Sequence, residues 1–119
     1  MVQDYKQLKI WQRSFQLAVE VYKLTNKFPK HERYNLTSQL RRAATSISSN
    51  IAEGASKHTT QDFQRFLYQA YASLKEVESL LLLSKELKYV LVRDFEVLAK
   101  EIDELARMIY RFIEVVKRS

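Results

Sequence analysis

Hydrophobic residues recur along the chain at alternating spacings of three and four, the rhythm of helices that bury one face. In the first segment these positions are Leu8, Trp11, Phe15, Ala18 and Tyr22. The pattern ends near Phe28 and Pro29, because proline disfavours helix in the residue before it. We therefore predict a first helix from about Leu8, followed by a short connector at residues 30–35.

Three further segments carry the same rhythm. The predicted core positions of the second helix are Leu36, Leu40, Ala43, Ile47, Ile51 and Gly54. Those of the third helix are Phe63, Leu67, Ala70, Leu74, Val77 and Leu81, with a final contact near Leu87 or Lys88. Those of the fourth helix are Phe95, Leu98, Ile102, Leu105, Ile109, Phe112 and Val116. Thr59 is predicted to cap the third helix, since its hydroxyl can accept a free backbone amide and Asp62 suits the positive helix end.

Residues that favour turns are scarce, with one glycine and one proline in 119 residues. This length suits one domain that buries about two thirds of the surface that the unfolded chain exposes. Four helices with short connections pack most simply as an up-down-up-down antiparallel bundle. We therefore predict a single all-α four-helix-bundle domain over residues 1–119.

Apolar residues outside these seams indicate that chains associate. They are Phe66, Tyr71, Leu80, Leu82 and Leu83 on the third helix, and Tyr110 and Ile113 on the fourth. A helix that is apolar over a wide arc is usually covered by another surface. We predict a homo-oligomer; the alternative is a bundle whose third helix is simply central.

A polar stripe lies beside the aliphatic seam of the second helix. It comprises Gln39, Arg42, Ser46, Asn50 and Glu53, with Ser73 and Glu76 facing it from the third helix. Buried polar groups can specify how helices align. These residues are predicted to form an interhelical latch in which Arg42 pairs with a carboxylate and Asn50 bonds to Ser73. The alternative is a catalytic carboxylate pair of Glu53 and Glu76.

The formal net charge is +6, and its excess lies in the first half. Through Arg65 there are eleven Lys and Arg against five Asp and Glu, whereas the remainder has nine of each. Such a surface favours polyanions, although ordinary solubilising charge explains a modest excess equally well. Arg41 is the preferred surface member of its arginine pair, because Arg42 lies on the latch. The candidate nucleic-acid-binding residues are Lys6, Lys9, Arg13, Lys23, Lys27, Lys30, Arg33 and Arg41.

No pattern typical of an enzyme stands out. The absence of cysteine excludes disulfides and thiolate zinc sites, and His31 and His58 show no metal-ligand spacing. No nucleophile, base and orienting group can be assembled, so we expect neither catalysis nor a metal or cofactor. The start lacks the apolar core of a signal peptide, and the run Leu80–Leu83 is far shorter than the roughly 20 residues of a membrane span. The expected location is the cytoplasm.

Four motifs carry a resemblance to a known family. They are L-x-x-W from Leu8, F-P-x-x-E-x-Y-x-L from Phe28, Q-x-R-R-A-x-x-S-I-x-x-N-I-A-E-G from Gln39, and A-x-x-S-x-x-E from Ala70. They resemble the bacterial four-helix-bundle family named for reading frames inside intervening sequences of large-subunit ribosomal RNA. The likeness covers essentially the whole chain; Tyr71 and Ala72 stand where a glycine before the serine is often seen.

The resemblance implies a homopentamer of four-helix bundles. It also implies a build similar to the accessory protein of diversity-generating retroelements, which binds nucleic acid and works with a reverse transcriptase. It supplies no established activity, since most members are uncharacterised.

We therefore predict a non-enzymatic, oligomeric nucleic-acid-binding protein whose partner is RNA. Assembly would repeat weak phosphate contacts and so raise their combined affinity. The alternative is a homo-oligomeric interaction scaffold, or an accessory subunit that presents grooves to a partner enzyme. Replacing Lys23, Lys27 and Lys30 by glutamate should abolish the first function and spare the second.

Overall fold

A computed structural model describes residues 4–119 of the protein. Over this range the chain forms four helices and no strand: α1 Lys9–Thr25, α2 Leu36–Ala55, α3 Thr60–Glu86 and α4 Val92–Lys117. Short 3-10 turns precede α1 and α2, at Tyr5–Gln7 and Lys30–Glu32. The helices run up and down in an elongated bundle of 45 × 24 × 19 Å. The predicted all-α four-helix bundle is confirmed.

The pair of α2 and α3 forms the centre of the bundle. α1 packs on α2 and α4 packs on α3, whereas α1 and α4 touch only sparsely. Every core position predicted for α2 and α3 is buried, except the final contact predicted near Leu87 or Lys88, where both residues are exposed because α3 ends there. On α4 the predicted seam is confirmed, except that Phe95 and Phe112 are only partly buried against the core. The core therefore follows the helical periodicity of three of the four helices.

The core-facing side of α1 differs from the prediction. Ile10 and Val21 lie in the core, whereas Phe15 is 50% exposed and Tyr22 is also exposed. Ser14 lies on the true seam and is fully buried, with its hydroxyl donating to the Ile10 carbonyl oxygen at 2.6 Å. Because Ser14 interrupts the buried face, the hydrophobic periodicity of that face is weaker in the sequence than that of the neighbouring face, which carries Phe15 and Tyr22. The prediction that Phe15 and Tyr22 face the core is wrong for this reason.

The connections around α3 are set by local hydrogen bonds. The Thr59 hydroxyl accepts from the Asp62 backbone amide at 3.1 Å, which confirms the predicted cap. At the other end, the Tyr89 amide donates to the Ser84 carbonyl and the Lys88 amide to the Lys85 carbonyl, each at 2.9 Å. Lys88 has φ of 65°, so α3 ends in a Schellman motif with a lysine where glycine is usual.

Gly54 allows α2 and α3 to approach closely where they meet. A Cβ atom at this position would lie 2.7 Å from the Phe66 Cβ and 3.1 Å from the Phe63 Cδ1. Both neighbours belong to the first turns of α3 and are buried. The glycine therefore allows the close crossing of α2 and α3.

Tyr89 ties the α1–α2 connector to the α3–α4 connection. Its hydroxyl donates to the Glu32 Oε2 at 2.9 Å, and its ring lies 5.5 Å from that of Phe28. The hydrogen bond to Glu32 raises the pKa of Tyr89. The other Glu32 oxygen accepts from the Leu36 amide at 3.4 Å and the Asn35 side-chain amide at 3.3 Å. The Glu32 carboxylate is thus fully occupied within the fold.

The residues outside the predicted seams fall into three groups. Phe66 and Ile113 are core residues, so the prediction that they remain free for another chain is wrong. Tyr71 and Leu80 are partly buried against the core, while Leu82, Leu83 and Tyr110 are exposed.

Exposed apolar side chains surround the α3–α4 connection. Together they are named the apolar tip: Leu82, Leu83, Leu87, Leu91, Val92 and Val97, each between 44% and 61% exposed. The contact of Tyr89 with Glu32 places the α1–α2 connector at the same end of the bundle. None of the helices between residues 4 and 119 combines the length and the apolar composition needed to cross a bilayer.

Candidate nucleic-acid interface

Three polar residues join α2 to α3. The hydroxyl oxygens of Ser46 and Ser73 lie 2.9 Å apart. The Asn50 side-chain amide donates to the Ser46 carbonyl oxygen at 2.8 Å and to the Ser46 hydroxyl at 3.0 Å. All three side chains are partly buried. They link α2 and α3 as a latch would, although Asn50 reaches Ser73 through Ser46 and not directly as predicted.

The other four residues assigned to the latch lie outside it. Gln39, Arg42, Glu53 and Glu76 are exposed. Between residues 4 and 119 no ion pair includes Arg42, Glu53 or Glu76. At about 100° of rotation per residue, Arg42 and Glu53 lie further from α3 than the bonded residues of α2. The prediction that Arg42 pairs with a carboxylate in the latch is wrong.

The histidines do not build a metal site. His31 lies 3.3 Å from the Tyr89 hydroxyl, and His58 is exposed in the α2–α3 connection. Among residues 4–119 no three His, Cys, Asp or Glu side chains come together in a way that could hold a metal ion.

The candidate basic residues do not form one continuous surface. Lys6 and Lys9 are exposed at the start of α1, roughly 25 Å of helix away from its other end. Arg13 pairs with Glu104 of α4 at 2.9 Å, so part of its charge is compensated. The first turns of α1 therefore carry little concentrated positive charge.

Lys23 and Lys27 belong to a groove of mixed charge between α1 and α4. Its lining includes the carboxyl groups of Glu20, Asp94 and Glu101. The pKa of Glu20 is raised from 4.5 to about 7, first by burial and then by a hydrogen bond and charge repulsion with Glu101, while Lys23 opposes the shift. The two lysines thus have acidic neighbours, which weakens their attraction for a phosphate chain.

Arg41 and Arg42 have roles opposite to those predicted. Arg41 reaches back to the end of α1, where its Nε donates to the Thr25 hydroxyl at 2.8 Å and its Nη2 to the Asn26 Oδ1 at 3.0 Å. The Nη2 also lies 3.3 Å from the Tyr22 carbonyl oxygen, so the arginine satisfies the C-terminal end of α1. Arg42 is the exposed member of the pair. The prediction that Arg41 is the free surface residue is wrong.

Two adjoining clefts concentrate positive charge at the end of the bundle where α1 stops and α2 begins; they are named the end clefts. The smaller cleft, of about 350 Å³, is lined by Thr25, Asn26, Phe28, Pro29, Lys30, Arg33, Thr37 and Arg41. The larger cleft, of about 550 Å³, is lined by Tyr22, Arg33, Tyr34, Thr37, Ser38, Arg41, Arg42 and Thr45. Neither lining contains a carboxylate. Cations, hydroxyls and aromatic rings together match the chemistry of phosphate and base recognition.

The end clefts contain only part of the predicted set. Lys30, Arg33 and Arg41 lie together there, whereas Lys6, Lys9, Arg13, Lys23 and Lys27 are not part of these linings. Arg42, Tyr34 and Thr37 were missed as members of a binding surface. The spacing of four residues between Thr37 and Arg41 was the available signal for Thr37, since such positions share one side of a helix. Tyr34 precedes α2 in the connector, where helical spacing gives no signal.

The described residues thus define an all-α protein whose antiparallel bundle carries, at one end, two cationic clefts with no carboxylate in their linings. The chain belongs to the 23S rRNA-intervening sequence protein family, whose family model matches residues 6–111. The resemblance seen in the four motifs is confirmed by this match. No curated protein matches the chain.

The chain is similar in fold to a solved protein structure. It is a protein with unknown function from the S23 ribosomal protein family of Bacteroides thetaiotaomicron. The two structures superimpose with a TM-score of 0.78 at 23% sequence identity, over 87% of this chain and 97% of that chain. The likeness establishes the shared four-helix architecture.

Proposed function

We propose that the protein is a non-enzymatic, homo-oligomeric nucleic-acid-binding protein that binds RNA through its end clefts. The observation that carries the proposal is the grouping of Lys30, Arg33, Arg41 and Arg42 around clefts without a carboxylate. A phosphate chain gains affinity by releasing counterions when such cations neutralise it.

Local charge balance favours the end clefts over the other grooves. The α1–α4 groove contains three carboxyl groups. The α3–α4 groove contains Lys75, Arg107 and Arg111, but Asp103 also lines it and pairs with Arg107 at 2.6 Å. Near the end clefts, Glu32 already bonds to Tyr89 and to the start of α2. The end clefts thus group four cations with no carboxylate in either lining, unlike the α1–α4 and α3–α4 grooves.

Oligomerisation would bring several weak RNA-binding sites together in one particle. Few cations contribute in each chain, so one copy should bind an RNA weakly, and linked copies should bind much more tightly. The apolar tip lies at the same end of the bundle as the clefts, so association through it would gather the clefts of several chains. We propose a pentamer, the assembly that the family resemblance implies.

The test compares RNA binding by charge-reversal variants at two salt concentrations. Arg33→Glu with Arg42→Glu should lower affinity at roughly 50 mM salt at least ten-fold and should flatten the salt dependence, because fewer counterions are released. The matched control is Lys6→Glu with Lys9→Glu, which makes the same charge change at the far end of α1 and should have a much smaller effect. Binding of neither RNA nor DNA by the wild type at this salt, or binding independent of salt, would refute the proposal.

The apolar tip supports a second candidate function, in which the oligomer is a scaffold for a partner enzyme. Such a partner would bind through apolar contacts and tolerate the loss of Arg33 and Arg42. The scaffold would be favoured if the variant Arg33→Glu with Arg42→Glu still bound a protein partner and also bound RNA as tightly as the wild type.

A further inference from the structure

Three residues form the wall shared by the two end clefts. Arg33, Thr37 and Arg41 line both of them. Thr37 and Arg41 are four residues apart on one face of α2, and Arg33 lies in the connector just before that helix. Arg41 is held in place by its bonds to Thr25 and Asn26, whereas Arg33 is exposed. The wall therefore combines the Thr37 hydroxyl with two cations: Arg41, whose side chain is held by hydrogen bonds, and Arg33, whose exposed side chain can adapt to a ligand.

The Thr37 hydroxyl is the second observation. Thr37 is only 6% exposed, and its hydroxyl bonds to no other group between residues 4 and 119. Every fully buried side-chain nitrogen or oxygen in that range has a partner, so the Thr37 oxygen must remain accessible from the clefts that the residue lines. A buried threonine with a free hydroxyl next to two guanidinium groups is suited to donate to a phosphate oxygen.

The third observation is an exposed aromatic ring at the rim of the larger cleft. Tyr34 is 88% exposed, and the Arg33 guanidinium carbon lies 5.7 Å from its ring centroid. Across the same cleft, the Arg41 guanidinium carbon lies 4.6 Å from the ring centroid of Tyr22. A flat, solvent-facing ring beside a phosphate-binding wall is the arrangement on which unpaired bases stack.

We propose that the end clefts bind an unpaired nucleotide of a single strand, with its phosphate at Thr37 between Arg33 and Arg41 and its base stacked on Tyr34. This inference rests on the proposed function and specifies its ligand. A duplex does not fit as well, because its bases are stacked on their neighbours and offer no free face to a protein ring. The larger cleft, of about 550 Å³, lies within the range of roughly 300–1,000 Å³ that is usual for small-ligand sites.

The experiment measures fluorescence anisotropy of labelled oligonucleotides with the full-length protein. The probes are a 15-residue uridine RNA, the matching thymidine DNA, and a duplex RNA of equal length. Wild type should bind the single strands more tightly than the duplex, and the RNA and DNA arms identify which source of unpaired nucleotides is preferred. Tyr34→Ala should weaken single-strand binding roughly five- to 100-fold, the effect of losing one stacked base, without changing the salt dependence. Tyr34→Phe should restore binding, and Thr37→Val should weaken it several-fold.

The outcomes separate this inference from the proposed function. Normal binding by Tyr34→Ala, together with loss of binding by Arg33→Glu with Arg42→Glu, would overturn the stacking and leave the phosphate interface standing. Tighter binding of the duplex would also overturn it. Failure of the wild type to bind any of the probes would overturn both proposals. Because Tyr34 is almost fully exposed, circular dichroism of Tyr34→Ala should match the wild type.

Discussion

At the scale of single residues, Gly54 shows how one missing side chain sets the distance between two helices. Alanine is the better helix former by about 1 kcal/mol, but its Cβ would lie 2.7 Å from the Phe66 Cβ, which cannot move without α3. We expect Gly54→Ala to lower the free energy of unfolding by about 1–3 kcal/mol, the usual cost of overpacking. Denaturant unfolding followed by circular dichroism measures this change. The control is Ser49→Ala, on the exposed side of α2, whose free energy of unfolding should stay within about 0.5 kcal/mol of that of the wild type. A Gly54→Ala protein that is more stable than the wild type would contradict the role of Gly54 in the helix crossing.

At the scale of helices, the sparse α1–α4 contact should depend on pH. The pKa of Glu20 is raised from 4.5 to about 7 in the folded protein, by burial and then by Glu101. Between these two values the folded state binds more protons than the unfolded state, so the contribution of Glu20 to stability is fully present below about pH 4.5 and is lost as the pH rises through about 7. Glu20→Gln should therefore lose less thermal stability than the wild type between pH 5 and pH 8, with a difference below about 1 kcal/mol because solvent screens the groove. Thermal melts at several pH values test this expectation.

The control for that measurement is Glu96→Gln. Glu96 is exposed on α4 and does not line the α1–α4 groove, so this variant should keep the pH dependence of the wild type. If the thermal stability of Glu20→Gln fell with rising pH as steeply as that of the wild type, the pair of Glu20 and Glu101 would not control the contact between α1 and α4.

At the scale of the whole molecule, the apolar tip should decide the state of association. We expect light scattering at micromolar concentration to give five times the 14.1 kDa of one chain. Leu83→Glu with Leu91→Glu should reduce this mass, because burying the new carboxylates in an interface is costly. Val115→Glu makes the same kind of change at an exposed apolar residue near the other end of α4 and should keep the wild-type mass. A wild type that remains a monomer would remove the avidity on which the proposed function depends.

The fold was largely predictable, because it depends on local spacing. The seams of α2 and α3 and the cap at Thr59 follow from helical periodicity and from the chemistry of helix ends. The α1 seam was predicted wrongly because Ser14 occupies a core position and Phe15 offered a stronger apolar signal. Periodicity gives the relative positions of side chains on a helix, but a choice between two adjacent stripes requires knowledge of which one meets the other helices.

The candidate site was predictable only in part. Helical spacing correctly brought Ser46 and Ser73 together, since both lie near the contact line of α2 and α3. It exchanged the roles of Arg41 and Arg42, which differ by about 100° on the helix. Arg41 has a structural role because its side chain donates hydrogen bonds to the Tyr22 carbonyl oxygen and the Thr25 hydroxyl at the end of α1.

The sequence by itself determined the number of helices, the faces that α2, α3 and α4 bury, and the family, because these depend on residue spacing and on motifs along the chain. Only the tertiary structure decided which charges are compensated and which remain available. Arg13 and Lys23 meet carboxyl groups of α4, whereas Arg33 and Arg42 meet none across the end clefts. The physical reason is that electrostatic attraction depends on distance in space, and helices remote in sequence set that distance.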